Sequence, residues 1–224
     1  MQLNSYIDHT KLGANISKEQ IDQLLAEAIK HEFKSVCVNP IWVKYAKEAL
    51  KNTNVLVCTV IGFPHGTHHH LVKKFEAKQA VLDGADELDM VINVYSLKAK
   101  EDDIVLKEIK GVVKEAKGRT VKVIIETCYL TEEEIKRASR IALRAKASFV
   151  KTSTGFGTGG ATVKDVKLMK RTVKEKAKVK ASGGVRTYED AIKMIEAGAE
   201  RIGTSNGVDI VTKRSVENDP NPTY

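Results

Sequence analysis

Eight short β-branched runs, helical stretches between them with apolar residues three or four apart, and glycines at the stretch ends predict a (β/α)8 barrel of the TIM class. Strands joined by helical crossovers of this length run parallel. Eight such units in about 210 residues suit a single barrel domain over residues 1–212. An open, doubly wound sheet is the structural alternative. It would announce a nucleotide site after its first strand, and no G-x-G-x-x-G follows SYIDHT.

In chain order, the strands are expected at 5–10, 35–38, 55–62, 87–93, 121–127, 148–153, 178–183 and 201–205. The first helix is expected over 17–31, where Ser17 with Gln20 makes a capping-box start and Ile21, Leu24, Leu25, Ala28 and Ile29 make one apolar stripe. Helices follow near 40–51, 69–83 and 97–117. Thr131 with Glu134 repeats the capping signal ahead of Ile135, Ala138, Ile141 and Ala142. Further helices are expected at 162–176 and 187–197, and Gly84, Gly118 and Gly198 stand where helices stop. The last dozen residues, with Pro220 and Pro222 among polar neighbours, read as a flexible tail over 213–224.

Composition excludes several function classes. The chain has 224 residues, 42% hydrophobic and 29% charged, enough to build one core without metal or disulfide staples. Cys37 and Cys58 sit in apolar strand runs and, with Cys128, form no even framework, so buried thiols in a reducing compartment are expected. No apolar run reaches the ~18–20 residues of a membrane span. The N-terminus lacks a signal pattern, so a cytoplasmic protein is expected. The net charge is +8, but it is spread along the chain and interleaved with glutamates, and aromatics are only 5%. No nucleic-acid partner is expected, although the positive field helps attract phosphorylated substrates. His68, His69 and His70 would diverge on a helix and lack paired ligand spacing, so no metal is expected.

Chemistry concentrates at the strand ends. In ELDMVIN, Leu88, Met90 and Ile92 share a helix-facing side, while Asp89 and Val91 point into the barrel. An aspartate there is either used or caps a neighbouring loop. Lys151 lies inside SFVKTS, flanked by apolar residues just before a glycine-rich loop. Lysine is disfavoured in strands and rarely buried, which favours function over a surface role. Lys180 holds the same place on the next strand. A free lysine is neutral in only about one molecule in 2,500 at pH 7, and a neutral amine is needed to attack a carbonyl. A like charge nearby and a poorly hydrated pocket both favour the neutral form. GGVRT and GTSNG follow the last two strands, where barrels often bind phosphate through backbone N–H groups. Arg186, Ser205 and Asn206 add charge and donors, though plain turn glycines would read the same way.

IDHTKL, FEAKQA, DGADELDMVIN, KVIIET, VKTSTGFG, ASGGVRT and AGAERIGTS together resemble the deoxyribose-phosphate aldolase family, over roughly residues 5–211. The resemblance implies a TIM barrel and an aldehyde-lyase. Its reaction is the reversible cleavage of 2-deoxy-D-ribose 5-phosphate to D-glyceraldehyde 3-phosphate and acetaldehyde, in deoxyribonucleoside catabolism. It further implies Lys151 as the Schiff-base lysine, Asp89 and Lys180 as the proton-transfer pair, and Lys122 near the reacting carbons. Asp8 and Cys37 match residues lining the site. Gly183, Gly184, Val185, Arg186, Gly203, Ser205 and Asn206 match the phosphate-binding positions. No cofactor is implied, and a homodimer is the expected assembly. Asn206 stands where serine is common, Cys128 where a smaller residue is usual, and HGTHHHLV fills its loop unusually. Some relatives carry a tail whose last tyrosine reaches the site, a role that would fall to Tyr224.

Overall fold

The computed structural model describes residues 2–213; beyond Lys213, the expected tail with Tyr224 lies outside them. The strands are β1 (Ile7–Lys11), β2 (Ser35–Val38), β3 (Leu56–Ile61), β4 (Glu87–Val91), β5 (Thr120–Ile124), β6 (Phe149–Lys151), β7 (Lys178–Ser182) and β8 (Arg201–Thr204). They pair in sequence order, all parallel, and β8 closes on β1. Around them lie α1 (Lys18–Lys30), α2 (Val43–Ala49), α3 (His70–Leu82), α4 (Val94–Lys98), α5 (Asp102–Glu115), α6 (Glu132–Arg144), α7 (Val163–Val173), α8 (Tyr188–Glu196) and α9 (Gly207–Thr212).

The caps form as the sequence predicts. Ser17 with Gln20 and Thr131 with Glu134 close reciprocal boxes, and Thr187 with Asp190 adds a third. Gly84 and Gly198 end α3 and α8 at φ 102° and 108°, conformations that side chains avoid. The main apolar core lies between strands and helices, where Leu88, Met90 and Ile92 pack with Val105, Ile109 and Val112 of α5. The barrel interior holds Asp89 and its partners beside a small second apolar cluster of Leu12, Cys37, Cys58 and Val60.

Three expectations need correction. Ile29 is 43% exposed, because it falls about 100° beyond Ala28 and leaves the stripe of Ile21, Leu24, Leu25 and Ala28. The helix expected at 97–117 is two, α4 and α5. Asn93 caps α4 by accepting Ser96 N–H, and Lys100 at φ 62° ends it with Glu101 N–H donating back to Ser96 O. The strand expected through 127 stops at Ile124, because Glu126 takes a left-handed backbone. Beyond the expected elements, the run after β8 forms α9, whose start at Gly207 is packed against His9 and Phe33.

Candidate active site

Parallel strands bring all their carboxyl ends to one mouth of the barrel. Alternation along β4 turns Asp89 inward, and the register sets Lys122 beside it on β5 and pairs Lys151 with Lys180 across β6 and β7. Asp89 Oδ2 accepts from Lys151 Nζ at 2.8 Å and from Lys180 Nζ at 2.8 Å. Asp89 Oδ1 accepts from Lys122 Nζ at 2.8 Å and from Cys58 Sγ at 3.1 Å. One carboxylate therefore gathers three lysines from three strands.

A second tier lies beneath. Lys180 Nζ stands 2.6 Å from Asp8 Oδ2, and Lys122 Nζ stands 2.6 Å from Glu87 Oε2. Arg201 bridges Asp8 and Glu87 at 2.5 and 2.6 Å, and Ser35 donates to Asp8 Oδ1 at 2.6 Å. Asp8, Asp89, Lys122 and Lys180 are fully buried, while Lys151 retains 3% exposure.

The electrostatics follow from this packing. Burial pushes the carboxyl groups of Asp89 and Asp8 up, but the surrounding cations outweigh it and hold both below the ordinary carboxylate range. Burial likewise opposes charge on Lys180, Lys122 and Arg201, and the carboxylates outweigh it, so all three keep their protons more firmly than free side chains. With every group charged, Lys122, Lys151, Lys180 and Arg201 face Asp8, Glu87 and Asp89, leaving one cation in excess. Lys151 has no carboxylate of its own, because it shares Asp89 Oδ2 with Lys180. The arrangement can present a neutral amine at the mouth, an ammonium beside it and a carboxylate between the two.

Cys37 on β2 pairs in register with Cys58 on β3, and both are buried. Hydrogen bonding with Cys58 draws the Cys37 thiol below its ordinary range, while burial raises that of Cys58. Cys37, Cys58 and Asp89 could offer three ligand atoms within 4.8 Å of one another. The oxygens of Asp89 are already taken by ammonium groups, so the setting repels a metal cation.

The remaining predicted residues gather at the ends of β7 and β8, which are neighbours. Gly183 and Gly184 take φ 83° and 77°, and Gly184 opens to space where a Cβ would touch nothing within 4 Å. Val185 is buried, accepting from Thr204 Oγ1 at 2.7 Å, and Arg186 is exposed. At Gly203 a Cβ would come within 2.9 Å of Lys180 Cε, so only glycine lets that lysine lie flat across β8. Ser205 and Asn206 are half-buried; Asn206 accepts from Ser205 Oγ and donates to Asp209 Oδ2, each at 3.3 Å. Among the departures, Cys128 lies against Gly157, and His69 caps α3 by accepting from Leu71 N–H.

Sequence reasoning passed over Glu87, Arg201, Cys58 and Glu126. Glu87 and Arg201 carried a signal, since each lies two residues before an inward position, Asp89 and Gly203.

Comparison with known proteins agrees with the barrel fold. A family model described as DeoC/LacD family aldolase matches residues 3–213. The chain is 54% identical over 224 residues to a deoxyribose-phosphate aldolase of Acholeplasma laidlawii, covering 100% of both. It is 58% identical over 213 residues to one of Exiguobacterium, covering 95% of this chain and 96% of the relative. A structure titled as a tetrameric deoxyribose phosphate aldolase from Aeropyrum pernix superposes with a TM-score of 0.88 at 34% identity, covering 94% of this chain and 89% of the other. The chain therefore belongs to the DeoC/LacD family of aldolases.

Proposed function

We propose that this chain is the enzyme that reversibly cleaves 2-deoxy-D-ribose 5-phosphate to D-glyceraldehyde 3-phosphate and acetaldehyde through a Schiff base on Lys151. The observation that carries the reading is the shared oxygen: Asp89 Oδ2 lies 2.8 Å from both Lys151 Nζ and Lys180 Nζ, beneath the barrel mouth. A nucleophilic amine, an acid and a base thus stand within one hydrogen bond of each other.

The substrate's phosphate is held by Gly183, Gly184, Val185, Arg186, Gly203, Ser205 and Asn206, at strand ends where open glycine backbone can donate N–H groups. Neutral Lys151 attacks the C1 aldehyde. Lys180, held as an ammonium, gives a proton to the departing carbinolamine oxygen, and loss of water leaves an iminium. Asp89 takes the C3 hydroxyl proton through a water, and the C2–C3 electron pair moves into the iminium as an enamine. D-Glyceraldehyde 3-phosphate leaves; protonation at C2 and hydrolysis then release acetaldehyde and restore the amine. The iminium is the electron sink, so the bond cleavage requires no metal ion. Lys122, behind Asp89, fixes the carboxylate in place, and Asp8 does the same for Lys180. Cys37 lines the pocket from β2.

The reading includes a cytoplasmic homodimer built on one barrel domain, without nucleic-acid partners. Among the described residues no helix is long and apolar enough to cross a membrane. The test is product analysis on 2-deoxy-D-ribose 5-phosphate. Acetaldehyde and D-glyceraldehyde 3-phosphate in equal amounts are expected; an isomerised pentose phosphate with no two-carbon product would overturn the proposal.

A further inference from the structure

Glu126 is a buried carboxylate beside the site to which the reaction assigns no step. β5 leaves its regular ladder there. Ile125 N donates to Lys151 O at 3.1 Å, and Thr127 N donates to the very next carbonyl, Thr152 O, at 3.0 Å. Two residues after β5 thus oppose one after β6, a bulge with Glu126 as the extra residue. Its backbone takes φ 55° and ψ 68°, a left-handed conformation that disfavours any residue with a Cβ.

The bulge redirects the side chain. Alternation from Lys122 and Ile124 would aim residue 126 at the barrel axis. Instead its carboxylate reaches the loop after β6 and accepts from Thr154 N at 3.1 and 3.3 Å and from Thr154 Oγ1. Thr154 Oγ1 in turn accepts from Phe156 N at 3.0 Å. Gly157 packs so closely that a Cβ there would lie 3.2 Å from Glu126 Cδ. With Val91 these residues wall a cleft of about 70 Å³ at the mouth. Thr154 follows Lys151 by three residues, and the lysine's charge is felt at Glu126. A conformation disfavoured for glutamate, kept where the side chain grips the loop after the nucleophile, marks a function rather than an accident of packing.

We propose that Glu126 is a positioning residue of the aldol site: through Thr154 it fixes the loop from Thr154 to Gly157 as a wall against the two carbons that remain on Lys151 after cleavage. This inference rests on the aldolase reading. It makes Glu126 matter most for the steps of the two-carbon unit and least for capture of the phosphate, which lies across the mouth at β7 and β8.

The test compares the parent with E126Q and E126G. Three quantities are measured: exchange of acetaldehyde methyl protons in D2O, kcat and KM for 2-deoxy-D-ribose 5-phosphate, and the thermal unfolding midpoint. Glycine takes the left-handed backbone freely, so E126G should keep the parent's midpoint. Its exchange rate and kcat should nonetheless fall roughly 10- to 100-fold while KM stays close to the parent's. E126Q, which keeps an acceptor for Thr154, should recover part of that rate. A purely structural clamp predicts the reverse: a lower midpoint with unchanged kcat per folded molecule. That outcome, or exchange in both variants within about threefold of the parent, overturns the role of Glu126. A parent that neither exchanges methyl protons nor cleaves the substrate overturns the aldolase reading, and this inference with it.

Discussion

Replacing Asp89 with asparagine removes a charge that three ammonium groups share. Each nitrogen lies 2.8 Å from a carboxylate oxygen. At an effective dielectric of about 20, one such pair carries roughly 6 kcal/mol of gross Coulomb energy. Desolvation offsets much of this, and breaking a buried pair from one side costs about 3–5 kcal/mol. The variant strands four cations against Asp8 and Glu87 alone. For a chain of 224 residues each kcal/mol lowers the midpoint by about 2–4 °C, so a fall of roughly 6–20 °C is expected. Activity should drop about 10²- to 10⁴-fold, because the base at the C3 hydroxyl is gone. Calorimetry and a coupled glyceraldehyde-3-phosphate assay on the same preparation measure both. A midpoint within about 2 °C of the parent, with a rate within about tenfold, would refute the claim that Asp89 is both hub and base.

The other expectations concern its neighbours. Lys151→Ala removes the cation in excess, so the fold should be as stable as the parent or more so while activity disappears. A residual rate within about tenfold of the parent would end its role as nucleophile. Lys180→Leu removes the ammonium that gives its proton to the carbinolamine oxygen, so the cleavage rate should fall roughly 10²- to 10⁴-fold; a rate within about threefold of the parent would contradict this. Asp8 and Asp89 have carboxyl groups held below their unfolded values. Their contribution to stability is therefore complete above about pH 4 and lost as pH falls below it. Burial raises Glu108 and Glu126, so those two shift stability in the opposite sense, favouring the fold as pH falls toward their ordinary range. Urea midpoints taken from pH 7 downward should hold until about pH 4 and then collapse; a steady loss beginning near neutrality would count against this assignment.

Residue alternation made much of this molecule legible. The period of two turns Asp89 inward on β4 and sets Lys151 and Lys180 at matching places on β6 and β7, while only the family resemblance joined Asp89 to the two lysines. The same rule applied to Glu87 and Arg201 would have recovered the lower tier, which is built from charges that only a closed barrel brings face to face. Glu126 was beyond reach. Its position depends on a bulge and a left-handed glutamate, and no residue preference predicts that conformation for a non-glycine. The break between α4 and α5 was hidden similarly, since Lys100 adopts φ 62° without a glycine to signal it. Ile29 shows the limit of a stripe: membership in the periodic set did not place it within the arc that α1 buries.

The central claim is that Lys151 forms the covalent intermediate. Borohydride reduction in the presence of acetaldehyde, followed by peptide mass spectrometry, tests it most directly. The account predicts one reduced ethyl adduct, on Lys151. An adduct on Lys122 or Lys180 instead would keep the reaction class and overturn the assignment, and no adduct on folded protein would contradict the Schiff-base mechanism itself.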